Sequence, residues 1–211
     1  DPLQSIKRFY DDPLVDRYGK KIKGIFTTIS HNDAVSRARK AGIKIYWMHS
    51  LFDINEGKKS FNYITSRIVR SKNHINGLPG IQTGGNVGTS AWFLAWKILK
   101  CQEVVLIGIN HGWEEDDPWD VIISHNNMLP TENIDRNSTT FQKLFEKGYN
   151  PEFKCHFIYD PIFRFYSNGL KEFIARAPKW VTTINATEGG SIFGEGIICK
   201  RFSKYLEFKK N

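Results

Sequence analysis

Short apolar runs rich in β-branched residues alternate along this chain with stretches of helix-forming residues, and this alternation limits the possible folds most strongly. The predicted strands cover residues 22–28, 43–48, 103–109, 154–158 and 180–184. The predicted helices cover residues 31–41, 61–69, 87–100, 139–147 and 162–177, and a last helix begins at Glu195 or Gly196 and ends at Leu206. Strands that alternate with helices of this length are typical of βαβ units. The sequence therefore predicts an α/β fold built on a doubly wound, mostly parallel sheet.

Three of these elements carry more detailed predictions. Ser30 or Asn32 is expected to cap the helix over residues 31–41, and Gly42 to end it in a left-handed conformation. The unbroken apolar run EVVLIGI at residues 103–109 predicts a central strand buried on both faces. The helix over residues 87–100 is expected to bury one aliphatic side, with Trp92 and Trp96 beside it: Val87, Ala91, Leu94, Ala95, Ile98 and Leu99.

Length and charge narrow the class of protein. A chain of 211 residues without a Pro-, Gly- or Ser-rich linker is expected to form a single domain over residues 1–211. The formal net charge of +8 favours an anionic small-molecule partner, whereas the scattered basic residues do not indicate nucleic acid. No run of about 18 apolar residues occurs, so no membrane span is expected.

The cysteines predict a reducing compartment. Cys101, Cys155 and Cys199 are odd in number and far apart, and no pair has the spacing of zinc ligands. Such cysteines are typical of small buried side chains in an intracellular protein. We therefore expect a cytoplasmic protein without a metal ion held by its own side chains.

Three Gly-rich polar segments are candidates for ligand binding. Residues 82–90 (QTGGNVGTS) precede the apolar helix, and residues 108–113 (GINHGW) follow the apolar strand. Residues 185–196 (NATEGGSIFGEG) follow the last predicted strand. Ligands of open α/β sheets bind beyond the carboxyl ends of the strands, and backbone N–H groups in Gly-rich turns suit phosphate. The first segment equally fits a tight turn in which Asn86 or Thr83 caps the helix.

Two histidines and one carboxylate are the candidate catalytic residues. His111 lies directly after the apolar strand and His125 in the loop that follows, and either can act as a general base. Glu188 is the one carboxylate of the third Gly-rich segment. An ordinary loop histidine and a structural carboxylate fit the same positions. The acidic run at residues 114–117 could hold Mg²⁺ bound to a nucleotide, or form a solvated loop.

Taken together, GGNVGTSA at residues 84–91, VVLIGINHGW at 104–113 and TINATEGGSIFGEG at 183–196 resemble one family. This is the motility accessory factor family, which is grouped with the MptE-like (6-hydroxymethylpterin pyrophosphokinase-like) proteins. Asn110 stands where that family usually has Asp, and Trp113 where it often has Tyr. Asp1-Pro2 resembles the strand end that follows the family's first βα unit, so we expect the chain to lack that unit.

The resemblance implies a Rossmann-like three-layer sandwich, similar to sialyltransferases that use CMP-activated sugars. It favours a nucleotide-sugar-dependent glycosyltransferase-like enzyme that acts on a protein or glycan acceptor, with His111 or His125 as the base and Glu188 holding the donor. The residues expected to bind nucleotide or substrate are Gly84, Gly85, Asn86, Thr89, Ser90, Asn110, Trp113, Asn185, Thr187, Gly189, Gly190 and Ser191.

Two alternatives remain open. The pterin members of the family imply diphosphate transfer from ATP with Mg²⁺, in which Trp113 and Trp119 would stack on the pterin ring. The His-Ala-His-Gly-Asp signature associated with pterin enzymes does not occur in this chain. The second alternative is a non-catalytic domain that binds an anion.

Overall fold

The computed structural model describes residues 3–50, 80–118, 122, 135 and 137–210. The predicted helix over residues 61–69 lies outside this part of the chain. The chain forms two compact units, Asp1–Thr83 and Gly84–Asn211, and each is described by itself. The single Rossmann-like domain expected for residues 1–211 stays a prediction.

The first unit contains a parallel three-stranded sheet. Strands β1 (Lys23–Thr27), β2 (Lys44–Ser50) and β3 (Gly80–Ile81) pair in that order. The helical segments of this unit are α1 (Pro13–Tyr18), α2 (Asn32–Lys40) and two 3₁₀ turns, Gln4–Tyr10 and Gly19–Lys21. Phe26 of β1 packs with Val35 and Ala38 of α2, and Ala41 and Ile43 complete this cluster. The predicted strand–helix–strand order of this unit is confirmed.

The start of α2 corrects one prediction and its end confirms another. His31 is the N-cap instead of Ser30 or Asn32, since its Nδ1 accepts a hydrogen bond from the Asp33 backbone N–H at 3.2 Å. An imidazole nitrogen can replace the usual hydroxyl or carboxylate cap because it also carries an acceptor lone pair. Gly42 follows the helix with φ of +84°, the left-handed conformation that the sequence predicts.

The second unit contains two sheets. In the parallel sheet, β8 (Thr182–Asn185) lies between β4 (Glu103–Leu106) and β9 (Ile197–Cys199). In the antiparallel sheet, β7 (Cys155–Tyr159) lies between β5 (Trp113–Glu114) and β6 (Glu146–Asn150). The helices are α3 (Val87–Phe93), which continues as a π turn over Leu94–Ile98, α4 (Thr139–Leu144), α5 (Pro161–Ala175) and α6 (Phe202–Lys210). The mixed α/β character with parallel strand pairs is confirmed.

The last predicted helix is wrong over its first half. Residues 197–199 form strand β9, and the helix begins only at Phe202. Gly194 and Gly196 have φ of +121° and +75°, which interrupts a right-handed helix. Ile197 and Ile198 then extend the chain beside β8, in agreement with their β-branched side chains.

The predicted buried side of the helix over residues 87–100 is also wrong. Val87 is 85% exposed and Leu99 63% exposed, whereas Trp92 and Phe93 are buried. The Trp92 indole N–H donates to Thr183 Oγ1 of β8 at 2.9 Å, so the aromatic side faces the sheet. The large aromatic side chains bury more apolar surface than the aliphatic ones, so the helix buries Trp92 and Phe93 while Val87 and Leu99 stay exposed.

Strand β4 does not have the predicted burial. Val104 and Leu106 are buried, but Glu103 and Val105 are only half-buried, and β4 pairs with β8 alone among the described residues. The central strand of this sheet is β8. No helix in the described part of the chain is both long and apolar enough to cross a membrane.

Candidate functional site

The second unit contains a cleft beside the residues that follow β4 and the residues at the start of α3. Its volume is about 320 Å³. It is lined by Asn86, Val87, Gly88, Gly108, Ile109, Asn110, His111 and Gly112, and by Phe163 and Tyr166 of α5. Two of the three Gly-rich segments therefore meet in one cleft. Among the described residues, none that lines it carries a carboxylate, an ammonium or a guanidinium group.

The first Gly-rich segment is built around Asn86. Its Oδ1 accepts from the Thr89 backbone N–H at 2.9 Å, so Asn86 is the N-cap of α3, one of the two caps predicted. Gly84 and Gly85 have φ of +58° and +81°, and a side chain at Gly85 would collide with the Tyr166 ring. Thr89 and Ser90 are buried, and the Ser90 hydroxyl donates to the Asn86 carbonyl. Only Asn86, Val87 and Gly88 of this segment line the cleft.

The third Gly-rich segment supports the second one and does not line the cleft. Thr187 Oγ1 accepts from the Ile109 backbone N–H at 3.2 Å, and the Ser191 N–H donates to the Asn110 carbonyl at 2.9 Å. Asn185 is fully buried, since its amide donates to the Ile192 carbonyl and its Oδ1 accepts from the Thr187 N–H. Gly189 and Gly190 are also buried. These residues fix the position of residues 109–111.

His111 is the most unusual side chain of the cleft. It is only 8% exposed, and its Nδ1 is buried without a hydrogen-bond partner among the described residues. Its ring stacks on Phe163, with centroids 6.4 Å apart and planes at 18°, and lies 6.0 Å from the Tyr166 ring centroid. Its φ of +43° is in the left-handed region, where strained residues of functional sites are often found.

Burial sets the charge state of His111. It disfavours the imidazolium form and lowers the pKa of His111 from 6.5 to about 4. The ring is therefore neutral at pH 7, and one of its two nitrogens carries a lone pair. A neutral imidazole can accept a proton or a hydrogen bond from a ligand in the cleft.

This pKa predicts a specific loss of stability in acid. Below pH 6.5 the unfolded chain takes up a proton at His111, whereas the folded chain does so only near pH 4. The contribution of His111 to the free energy of unfolding is therefore complete above pH 6.5 and falls by about 3 kcal/mol as the pH decreases towards 4. Urea unfolding of wild type and His111→Asn between pH 4 and 7 measures it. We expect a flatter pH dependence in the variant, and parallel curves would contradict the assignment.

Glu188, the predicted catalytic carboxylate, does not line the cleft. Glu188 Oε1 accepts from the Phe202 N–H at 3.0 Å, and its Oε2 lies 3.9 Å from Arg201 Nε. This carboxylate therefore holds the start of α6. His125 lies outside the described residues.

Of the predicted binding residues, Asn110 lines the cleft and Trp113 does not. Trp113 is 7% exposed and belongs to an apolar cluster with Ile122 and Phe145. It packs edge-on against Phe163, with ring centroids 4.7 Å apart. Trp113 therefore packs against Phe163, which lines the cleft, without lining the cleft itself.

Phe163 and Tyr166 are the cleft residues that the sequence analysis missed. They are three residues apart on α5, which puts them on one side of a helix. The sequence around them, Asp160-Pro161, signals the helix start: Asp160 Oδ1 accepts from the Phe163 N–H at 2.7 Å. The helix was predictable, but which of its sides meets the cleft was not.

The predicted acidic segment lines a second cavity of about 370 Å³. Its walls are Glu114, Glu115, Asp116, Cys155, His156 and Glu188. Glu115 forms ion pairs with Lys147 and His156, and Asp117 accepts from the Glu114 N–H at 2.8 Å. Within the described part of the chain, no group of three or more His, Cys, Asp or Glu residues is placed to hold a metal ion.

The chain has no significant match among protein-family models, curated proteins or solved structures. The resemblance to motility accessory factors stays a prediction.

Proposed function

We propose that the second unit is a Rossmann-like, nucleotide-sugar-dependent transferase that binds its nucleotide in the cleft around His111. The acceptor is a hydroxyl group of a protein or a glycan. The observation that carries the proposal is the environment of the His111 side chain. Its imidazole is buried and neutral, and its Nδ1 has no hydrogen-bond partner among the described residues. His111 belongs to the second Gly-rich segment and lines, with part of the first, a cleft large enough for part of a nucleotide.

The cleft offers different groups to different parts of such a ligand. Phe163 and Tyr166 form an aromatic wall beside His111, which suits a planar base or the apolar face of a sugar. Asn110 and Asn86 lie on the lining and can form hydrogen bonds with polar groups of the ligand. The backbone N–H groups of Val87 and Gly88, in the first turn of α3, suit a phosphate oxygen.

His111 serves the transfer as a general base. The acceptor hydroxyl gives its proton to the imidazole while its oxygen forms a bond to the anomeric carbon of the donor. The bond between that carbon and the phosphate oxygen breaks, and the nucleotide leaves with the electron pair. The negative phosphate would raise the pKa of His111 from its low value in the ligand-free cleft and strengthen it as a base.

Thermal unfolding in the presence of CMP, CMP-sugars, UDP, GDP and ATP, each with and without Mg²⁺, tests the binding step. A ligand at about 100 times its Kd adds roughly 2.7 kcal/mol to the free energy of unfolding, which shifts Tm by a few degrees. We expect the largest shift with CMP or a CMP-sugar, without a requirement for Mg²⁺.

Two helical glycines provide matched variants. A Cβ at Gly88 would lie 2.9 Å from the flexible end of Ile109 and 3.3 Å from Asn86 Oδ1, and both residues line the cleft. No described atom lies within 4 Å of the Cβ position of Gly169 in α5. Gly88→Leu should remove the shift and Gly169→Leu should retain it. Equal shifts in both variants would place the ligand elsewhere.

The acidic cavity keeps ATP-dependent diphosphate transfer as a second candidate. Its carboxylates could approach a Mg²⁺ ion that arrives with a nucleotide. A Tm shift that requires both ATP and Mg²⁺ would favour this function over sugar transfer. Binding without turnover of any activated donor would favour a non-catalytic anion-binding domain.

A further inference from the structure

The third Gly-rich segment, which does not line the cleft, supports the backbone conformation of His111. A non-glycine residue with φ of +43° is uncommon and needs support from its surroundings. Ser191 is only 1% exposed, and its Oγ lies 2.9 Å from the His111 carbonyl oxygen and 3.2 Å from the Asn110 carbonyl oxygen. One hydroxyl therefore contacts the carbonyl oxygens of the two peptide groups that flank the His111 Cα.

Ser191 is itself fixed from two directions. Its Oγ lies 2.9 Å from Ser167 Oγ of α5, which is also buried. The residue before it, Gly190, accepts at its carbonyl from the Asn150 amide at 2.8 Å. Gly190 also packs so closely on Asn110 that a Cβ there would lie 2.6 Å from Asn110 Cα. These contacts fix the position of the Ser191 hydroxyl. A group that orients another residue must itself be fixed in this way.

We propose that Ser191 is the positioning residue of the cleft, whose hydroxyl holds the His111 backbone so that the imidazole stays buried against Phe163 and Tyr166. The importance of this role for transfer rests on the function proposed above. The placement of the ring does not, since it is a property of the ligand-free protein. The sequence predicts that Ser191 binds nucleotide directly. In this proposal Ser191 contributes to binding only by positioning His111.

The test compares Ser191→Ala with Ser167→Ala in the ligand-free protein. Both substitutions remove one buried hydroxyl of the same pair, but only Ser191 contacts the His111 backbone. NMR titration of the His111 imidazole reports its surroundings directly. In Ser191→Ala the ring should become more exposed, so its pKa should rise from about 4 towards 6.5, whereas Ser167→Ala should leave it near 4.

Two results would overturn the proposal. If both variants lose stability and His111 keeps its low pKa in both, Ser191 has only a structural role. If both raise the pKa equally, the hydroxyl pair acts as a whole. If Ser191→Ala does not fold alone, the same comparison is made with Gly169→Ala added, because alanine stabilises a helix relative to glycine.

The nucleotide panel separates this proposal from the proposed function. A raised pKa in Ser191→Ala together with no nucleotide binding by wild type would support the positioning role and refute the nucleotide site. If the pKa of His111 is unchanged in Ser191→Ala, and wild type binds CMP but Gly88→Leu does not, the positioning role is refuted and the nucleotide site is supported.

Discussion

Replacing Gly190 by alanine will lower the free energy of unfolding by about 3 kcal/mol, because it combines a left-handed backbone conformation with a backbone collision. Gly190 has φ of +73°, which costs an L-residue roughly 1–2 kcal/mol. Its Cβ would also overlap the Asn110 backbone, with Asn110 Cα at 2.6 Å, and overpacking of this kind adds about 1–3 kcal/mol. Urea unfolding measures the difference.

The control is Gly169→Ala. Gly169 lies within α5, its φ is not in the left-handed region, and no atom of the described residues lies within 4 Å of its Cβ position. Alanine there should raise the free energy of unfolding by up to about 1 kcal/mol, because it restricts the unfolded chain and favours the helix. Equal destabilisation in both variants would contradict the close approach of residues 190 and 110.

Replacing His111 by asparagine will reduce the rate of sugar transfer by about 10²–10⁴, the usual contribution of a general base. Asparagine tolerates the left-handed backbone conformation, so the loop keeps its shape while the imidazole is removed. The measurement is kcat with the donor that the binding panel identifies. A loss in kcat with a smaller change in donor Kd would indicate that the imidazole acts mainly on the chemical step.

His156→Asn is the matched control for this experiment. His156 lies on β7, its side chain is 48% exposed, and it does not line the cleft around His111. This variant loses an exposed contact with Glu115, which contributes little, and a ring contact with Tyr149. Full turnover by His111→Asn would contradict the base assignment, and would leave His125 as the remaining histidine candidate.

Local patterns predicted many elements of this fold. The apolar runs at 103–109, 154–158 and 180–184 contain β4 and most of β7 and β8, because β-branched and aromatic residues are favoured in strands. Three Gly-rich turns were expected at one sheet edge, and two of them, after β4 and before α3, share a cleft, whereas the third does not line it. Both predictions depend on residues close together in the sequence or on the ends of parallel strands.

The roles of individual polar side chains could not be predicted in the same way. Thr187 and Ser191 have the composition of ligand-binding residues, but their partners at Ile109 and His111 are some 80 residues away. Trp113 similarly looks like a stacking platform until Ile122 and Phe145 are seen to bury it. Such assignments depend on tertiary contacts, which the local sequence does not specify.

The central claim is that a nucleotide binds beside His111, and a CMP titration followed through the histidine imidazole NMR signals tests it most directly. The account predicts that the His111 signal moves to saturation and that its pKa rises from about 4, since a phosphate nearby favours the imidazolium form. The His156 signal should stay unchanged. CMP binding that leaves the His111 signal and its pKa unaltered would contradict the account.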